Sequence, residues 1–353
     1  MARNPEHYAI VIGINGYKQI RPLNAAVADA TRFAEWLIKE EGGGLPPENV
    51  KLIVSPPVSP ANPFDARPVQ QEVDAALVEM GIKTRERIGQ RLYFYFAGHG
   101  VGPSFDDIAM LMATAAMDQL NYNIGLRPYR LFFHDRKSFD EIVYLIDCCR
   151  DPVQGFRLGE PSFNLAKSQA VDKKVQDFVL MAAEYGEKAF EPRDPTTGER
   201  RSILTKALLE GLEDLKASDP LGRITANSLC KYVEERVPNL ATDPKLRQTP
   251  KVDLNNLRDD IVIYTVPNTT LRRVKVHIHT TVAEAGGRLN LFDNNLRPVL
   301  SQPTAQARSD TPWEVFLVKG KWYILNYSES PNGLPKIIDL TNAGDDVVTI
   351  IYE

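Results

Sequence analysis

The chain has 353 residues, of which 43% are hydrophobic and 25% are charged. This length exceeds that of one ordinary domain, and the hydrophobic content excludes a disordered chain, so we expect two folded domains. The 42 basic and 46 acidic residues give a net charge of -4. That balance excludes the global positive field that binds a nucleic-acid backbone, and we expect no nucleic-acid partner.

The three cysteines are too few and too unevenly spaced for a disulfide framework or a zinc site, because two of them, Cys148 and Cys149, are adjacent. A reducing, cytoplasmic environment fits this pattern best. The amino-terminal residues lack the apolar core of a signal peptide. The longest apolar runs are also far shorter than the ~20 residues that a membrane span needs. We therefore expect no contact with a membrane.

Short apolar runs and amphipathic helices alternate over roughly the first two thirds of the chain. This alternation predicts an α/β fold with three layers, in which helices cover both faces of a mostly parallel sheet. The predicted strands are 8–15, 50–55, 91–98, 141–147 and 177–183, and the predicted helices are 24–40, 67–81, 203–215 and 226–237.

The pattern changes near residue 266, where short runs of alternating apolar and polar residues begin and continue to the last residue. Such runs, separated by turn residues, predict an all-β domain of the sandwich type. The predicted domains are therefore 1–256 and 266–353. The stretch 239–256 is rich in Pro and Asn and fits either a linker or the rim of the first domain.

Two predicted strands end at reactive side chains. The strand 91–98 is followed by His99, and the strand 141–147 ends at Asp147 and is followed by Cys148 and Cys149. Ligands and catalytic groups of parallel sheets lie at the carboxyl ends of the strands, so these side chains are expected at one edge. A thiol beside an imidazole is the arrangement of a nucleophile and its general base.

In these motifs the chain resembles the caspase-like cysteine peptidases, and more closely their metacaspase and bacterial branch. The caspase spacing, with the histidine about 50 residues before the cysteine, is one part of this resemblance. The matching stretches occur in the family's order between residues 5 and 252. They are 8–15, 23–30, 95–100, 144–149, 181–191, 204–212 and 248–250.

The resemblance implies a role for each motif residue. The family pattern Asp-x-Cys makes Cys149 the nucleophile, with Asp147 two positions before it, and leaves Cys148 as the alternative. His99 would supply thiolate character and protonate the leaving amine. The backbone N–H groups of Gly100 and Cys149 would bind the oxyanion.

The resemblance also implies a substrate preference. Asp29 and Asp147 match the acidic positions of the pocket for the residue before the scissile bond, the S1 pocket. Two carboxylates favour a basic side chain, and arginine more than lysine because it can bind in bidentate fashion. We therefore expect a polypeptide substrate that is cut after Arg or Lys, with no cofactor.

Other features of the family are absent or altered. Arg150-Asp151-Pro152 follows the nucleophile where metacaspases have His-Ser-Gly, and no acidic calcium cluster follows Cys149, so calcium activation stays open. His277 and His279 alternate on one strand, which suggests either a metal pair without a third ligand or, more simply, a solvated surface.

Two polar loops contain basic residues that such a peptidase could cut. They lie at 151–174, with Arg157, Lys167, Lys173 and Lys174, and at 186–202, with Arg193, Arg200 and Arg201. One hypothesis is that the protein itself or an upstream protease cuts one of these loops. The resemblance adds a further hypothesis, in which the protein is a zymogen of a bacterial stress or defence pathway that a partner activates by cutting or binding the loops. The alternative is a non-catalytic caspase-like scaffold whose β domain binds a partner.

Overall fold

The computed structural model describes most of the chain. The described residues are 3–17, 19–56, 62–169, 174–194, 197–219, 222–241, 247–266, 273–280, 288–293, 298–303, 312–318, 321–327, 335–341 and 347–352. The chain divides into two compact units, Met1–Ala217 with Ala226–Ile263, and Ser218–Thr225 with Tyr264–Glu353. The predicted domain boundaries, at residues 256 and 266, were defined from the sequence pattern and stay a prediction.

A six-stranded sheet forms the centre of the first unit. Its strands, in chain order, are β1 (His7–Gly13), β2 (Val50–Val54), β3 (Gly89–Ala97), β7 (Phe139–Asp147), β9 (Gln176–Met181) and β11 (Lys251–Asp253). They lie side by side in the order β11-β9-β7-β3-β1-β2, and all neighbours are parallel except the antiparallel edge strand β11. The stretch 239–256 therefore belongs in part to the rim of this unit.

Helices cover both faces of this sheet. The five described α-helices are α1 (Ala26–Ile38), α2 (Gln70–Met80), α3 (Leu126–Arg136), α4 (Ile203–Glu213) and α5 (Ala226–Leu240). Side chains of α2 and α3 pack with the even-numbered residues of the central strands, such as Phe94 and Ile146. On the opposite face, Phe33 of α1 stacks on Tyr95, and Thr205 of α4 bonds to the Tyr95 hydroxyl. Strand residues alternate between the faces, so both faces are buried, as predicted.

The region between β3 and β7 contains elements that are absent from the predicted strands and helices. It contains three short strands and α3, and the strands β4 (Gly100–Ser104), β5 (Asp107–Leu111) and β6 (Asn123–Gly125) join β8 (Asp151–Pro152) in a separate small sheet. Helix α3 buries only Leu126, Tyr129 and Phe133, so its apolar pattern is too sparse to stand out in the sequence.

The second unit is built from strands. Two of them, β10 (Arg223–Thr225) and β12 (Val262–Thr265), pair with each other. The others are β13 (Arg273–Thr280), β14 (Arg288–Asp293), β15 (Pro298–Pro303), β16 (Trp313–Val318), β17 (Trp322–Tyr327), β18 (Lys336–Asp339) and β19 (Val348–Tyr352). They form the sheets β16-β13-β19 and β15-β14-β17-β18, which contribute to one hydrophobic core. Two sheets around one core are the predicted sandwich arrangement.

None of the described helices combines the length and the apolar surface needed to cross a membrane.

Candidate active site

The register of the central strands brings His99 and Cys149 to the same edge of the sheet. Ala97, the last residue of β3, pairs with Asp147, the last residue of the parallel strand β7. His99 and Cys149 each lie two residues beyond this pair. Both line one cavity of about 510 Å³. The structure therefore brings the predicted base and nucleophile together.

A backbone carbonyl fixes the orientation of the His99 ring. The Nε2 atom lies 2.7 Å from the carbonyl oxygen of Arg21, and a carbonyl can only accept a hydrogen bond. Nε2 therefore carries the proton of the neutral ring, and Nδ1 is the free acceptor. Burial lowers the pKa of His99, so the ring is neutral at pH 7 and available as a base.

The buried Tyr17 holds the backbone and the ring of His99 together. Its hydroxyl accepts the N–H of His99 at 2.9 Å and donates to the carbonyl of Leu111 at 3.0 Å. Its ring packs edge-on against the imidazole, with the ring centroids 4.7 Å apart. A side chain on the neighbouring Gly98 would collide with the Tyr17 hydroxyl at 2.6 Å, so glycine is required there.

The Cys149 thiol contacts the loop after β9. The N–H of Ala189 donates to Sγ at 3.4 Å, and Sγ lies 3.7 Å from the Ala189 carbonyl oxygen. Burial raises the pKa of the thiol, although the Ala189 N–H opposes this shift. At rest, the thiol and the His99 ring are therefore both uncharged at neutral pH, and each bonds to a backbone group.

The neighbouring Cys148 is buried, and desolvation raises the pKa of its thiol well above the ordinary value. Its side chain packs against Gly100. A Cβ added at Gly100 would lie 2.3 Å from the Cys148 Sγ and 2.8 Å from the Cys149 carbonyl oxygen. Glycine at position 100 thus lets β4 approach the strand end that carries the nucleophile. The oxyanion role of Gly100 and Cys149 stays a prediction.

The two predicted pocket carboxylates both bind the first turn of α4. Asp29 Oδ2 accepts the N–H of Ser202 at 2.8 Å, and Asp147 Oδ2 accepts the N–H of Thr205 at 3.2 Å and its hydroxyl at 2.6 Å. Both carboxylates are buried, and only Asp147 lines the cavity. Asp29 contacts Ser202, which lines the cavity.

Burial governs the ionisation of these two carboxylates. It raises the pKa of Asp29 to about 7, against the Ser202 N–H and the nearby Arg201 and Arg32, which lower it. Burial also raises the pKa of Asp147. Anionic groups at the amino-terminal end of a helix are stabilised by unpaired N–H groups and the helix dipole, which offsets part of this desolvation cost.

Sequence patterns missed several groups around the cavity. The Glu191 carboxylate accepts the N–H groups of Asn24 and Ala25, immediately before α1, at 3.1 and 2.7 Å. Arg21 and Ala189 act through their backbone atoms, which every residue carries, so no residue type could mark them. Glu191 lies within the stretch 181–191 that carries the resemblance, but no spacing rule singled it out.

Metal binding has no support among the described residues, where no three His, Cys, Asp or Glu side chains converge to hold an ion. His277 lies beside Glu314, with 3.1 Å between Nε2 and Oε1.

Comparisons with known proteins identify the family of the chain. The Peptidase C14 family model, described as the caspase domain, matches residues 6–262. The chain belongs to this family. The predicted resemblance to the caspase-like peptidases is thereby confirmed, and with it the α/β fold class of caspase type, while the metacaspase branch stays a prediction.

One relative of this caspase-domain protein is a probable protease of a Desulfuromonadales bacterium. The two are 29% identical over an alignment of 245 residues, which covers 66% of this chain and 30% of the relative. The chain thus matches less than a third of that relative's length. The crystal structure of protein GSU0716 from Geobacter sulfurreducens aligns with a TM-score of 0.46 at 14% identity, covering 72% of this chain and 95% of that chain.

The resting state of the thiol predicts the pH dependence of its alkylation. Because only the thiolate reacts and burial raises the pKa of Cys149, we expect the rate with iodoacetamide to keep rising through pH 8.5, the ordinary value of a free cysteine (about 8.5). Mass spectrometry of the modified peptide measures this rate. Cys149→Ala is the control and should leave only slow modification, because Cys148 and Cys230 are buried. A rate that is already constant below pH 7 would show a stable thiolate–imidazolium pair and contradict this account.

Proposed function

We propose that the protein is a cysteine endopeptidase that cleaves polypeptides after a basic residue, with Arg preferred over Lys. The observation that carries this proposal is the placement of His99 and Cys149 in one cavity, each two residues beyond a paired strand end. The chain's caspase domain and the probable protease among its relatives support proteolysis as the general activity.

The first half of the reaction uses both members of the dyad. As a substrate enters, Nδ1 of neutral His99 accepts the thiol proton, and the sulfur attacks the scissile carbonyl carbon. The C=O electron pair moves to the oxygen, which the N–H groups of Gly100 and Cys149 stabilise. The C–N bond then breaks as the imidazolium gives its proton to the leaving amine, and a thioester remains on Cys149.

Water completes the cycle. His99, neutral again, takes a proton from a water molecule, whose oxygen attacks the thioester carbonyl. The C–S bond breaks, the carboxylic acid product leaves, and the proton returns to the sulfur. The reaction balances with water alone and uses neither a metal nor an organic cofactor.

Charge at the cavity supports the preference for a basic residue. Asp147 lines the cavity and Asp29 contacts Ser202, which also lines it, so the ionised carboxylates attract a basic side chain that enters beside α1 and α4. Because burial raises the pKa of both groups, this attraction strengthens as the pH rises through about 7, where Asp29 ionises. The cavity also contains the cations Arg21, Lys188 and Arg200. The preference therefore depends on local placement of the carboxylates and not on an overall negative surface.

Activation by cleavage of a loop is part of the proposal. Ala189 holds the nucleophile, and the loop around it carries exposed basic residues such as Arg193 and Arg200. In the loop after β8, the side chains of Arg157 and Lys167 are 79% and 74% exposed. Lys173 lies outside the described residues. An activating partner, a role in bacterial defence and a cytoplasmic location belong to the same proposal.

Hydrolysis of fluorogenic peptides tests the activity and its specificity. Peptides that differ only in an Arg, Lys or Asp before the reporter are offered to the wild type and to Cys149→Ala, with and without calcium. We expect cleavage in the order Arg, Lys, then Asp, and none by Cys149→Ala. Cleavage after Asp would contradict the basic preference. No cleavage of any peptide, before or after limited trypsin treatment, would favour the non-catalytic scaffold, in which the thiol and imidazole keep their separate backbone partners.

Intact-mass measurement before and after activation tests the loop-cleavage proposal. We expect new fragments that end at an exposed basic residue of the two loops, because a protease needs an accessible and adaptable backbone segment. Arg201 is the matched comparison. Its side chain is half-buried and lies 3.7 Å from Asp29, so we expect no fragment that ends at this residue. Full activity with an unchanged mass would reject cleavage and leave activation by a partner.

A further inference from the structure

The hydrogen bonds of Asp29 and Asp147 limit what these carboxylates can offer a substrate. Asp29 is fully buried, accepts the Ser202 N–H and has Arg32 and Arg201 beside it, at 3.5 and 3.7 Å. Asp147 is 5% exposed, and its Oδ2 accepts both the N–H and the hydroxyl of Thr205. Asp29 is therefore closed off from a substrate by its own partners, and one oxygen of Asp147 is already bound to Thr205.

Glu191 is placed differently. Its half-buried side chain lines the cavity together with His99 and Cys149. The Oε2 atom is committed to the Ala25 N–H at 2.7 Å. The Oε1 atom has only longer contacts, at 3.2 and 3.4 Å, with the backbone and side-chain nitrogens of Asn24. The 3.4 Å contact is weak, so a charged donor of the substrate can displace the Asn24 side-chain amide from Oε1.

Electrostatic coupling places the Glu191 charge near the reaction centre. Its negative charge acts to raise the pKa of both His99 and Asp147. Asp151, a further carboxylate of the cavity lining, acts instead on Cys149 and belongs to β8, which pairs with Val101 of β4. Glu191 therefore lines the same part of the cavity as Asp147, and it also binds the start of α1, the helix that carries Asp29.

We infer that Glu191 is a specificity-determining residue, whose carboxylate binds the guanidinium or ammonium group of the substrate residue before the scissile bond. This inference rests on the proposed peptidase function and names the carboxylate that binds the positive charge of the substrate. Asp29 and Asp147 add negative charge to this region when they are ionised, while hydrogen bonds to Ser202 and Thr205 hold them in place. The competing explanation is that Glu191 only attaches the 186–192 loop to the start of α1.

Two substrates that differ only in charge separate these explanations. Citrulline has the shape of arginine but no charge, so the ratio of kcat/KM for Arg and citrulline peptides isolates charge recognition. Glu191→Gln keeps an amide oxygen that can accept the Ala25 N–H, removes the charge and replaces the other oxygen with an NH2 group. We expect this variant to lower the Arg-to-citrulline ratio by about tenfold or more, the range of a charge-assisted hydrogen bond.

Glu187→Gln is the matched control. Glu187 lies on the same loop, accepts the N–H of Thr249 at 2.8 Å and does not line the cavity. We expect the Arg-to-citrulline ratio of this variant to equal that of the wild type. If Glu191→Gln slows both peptides equally and leaves the ratio unchanged, Glu191 is a structural attachment and the inference is wrong.

A binding measurement keeps the inference testable if the protein cleaves nothing. Fluorescence anisotropy gives the Kd of labelled Arg and citrulline peptides for Cys149→Ala, with and without Glu191→Gln. Selective loss of Arg-peptide affinity would support the Glu191 role even if the proposed peptidase activity failed. Equal affinity for both peptides in the Cys149→Ala protein would overturn the inference, whatever the activity.

Discussion

Two buried carboxylates accept hydrogen bonds from the amino-terminal end of α4, and the geometry of the active-site cavity depends on these bonds. Asp147 binds Thr205 from the end of β7, and Asp29 binds Ser202 from α1. The hydroxyl of Tyr95 in β3 lies 2.6 Å from the Thr205 hydroxyl, which links the strand of His99 to the same turn. One buried polar cluster thus joins the strands that carry both dyad residues to two helices. Unpaired buried carboxylates are costly, so replacing either partner would disturb all of these elements.

The loop after β9 also lines the cavity, and it forms hydrogen bonds with the nucleophile, with the start of α1 and with Gln248. Ala189 holds the Cys149 sulfur, Glu191 binds the start of α1, and Phe190 donates its N–H to Gln248 at 3.0 Å. Gln248 in turn donates to the Ala182 carbonyl at 3.0 Å, just beyond β9. A cut or a partner that moves this loop would therefore act directly on the nucleophile. This connection gives a physical route for the proposed activation.

The sequence was sufficient to predict the helix and sheet layers of the first unit and the sheet edge at which His99 and Cys149 lie. Buried parallel strands are continuous apolar runs, and a side chain that directly follows such a run must lie at the carboxyl edge of the sheet. Helix α3 was missed because three buried side chains among polar residues give little periodic signal. Strand β15 has prolines at both ends, and proline usually indicates a break in a strand, so its sequence gives little sign of a strand.

Other parts of the site could not be derived from residue patterns. Asp29 and Asp147 are more than 100 residues apart, and only the family resemblance suggested that they act together. The carbonyl of Arg21 and the backbone of Ala189 are positioned by long-range packing and leave no mark in the side-chain sequence. The buried hydroxyl of Tyr17 is also invisible to spacing rules, although it bonds directly to the backbone of His99.

Site-resolved labelling tests the central claim, which is that His99 activates Cys149 in this cavity. A peptidyl-arginine acyloxymethyl ketone forms a thioether with an activated cysteine as its carboxylate leaves, and fragmentation mass spectrometry distinguishes Cys148 from Cys149. The account predicts an adduct on Cys149 in the wild type and at least a tenfold slower reaction in His99→Ala, a typical contribution of a general base (about 10²–10⁴-fold). An adduct on Cys148, or equal labelling of the wild type and His99→Ala, would contradict it.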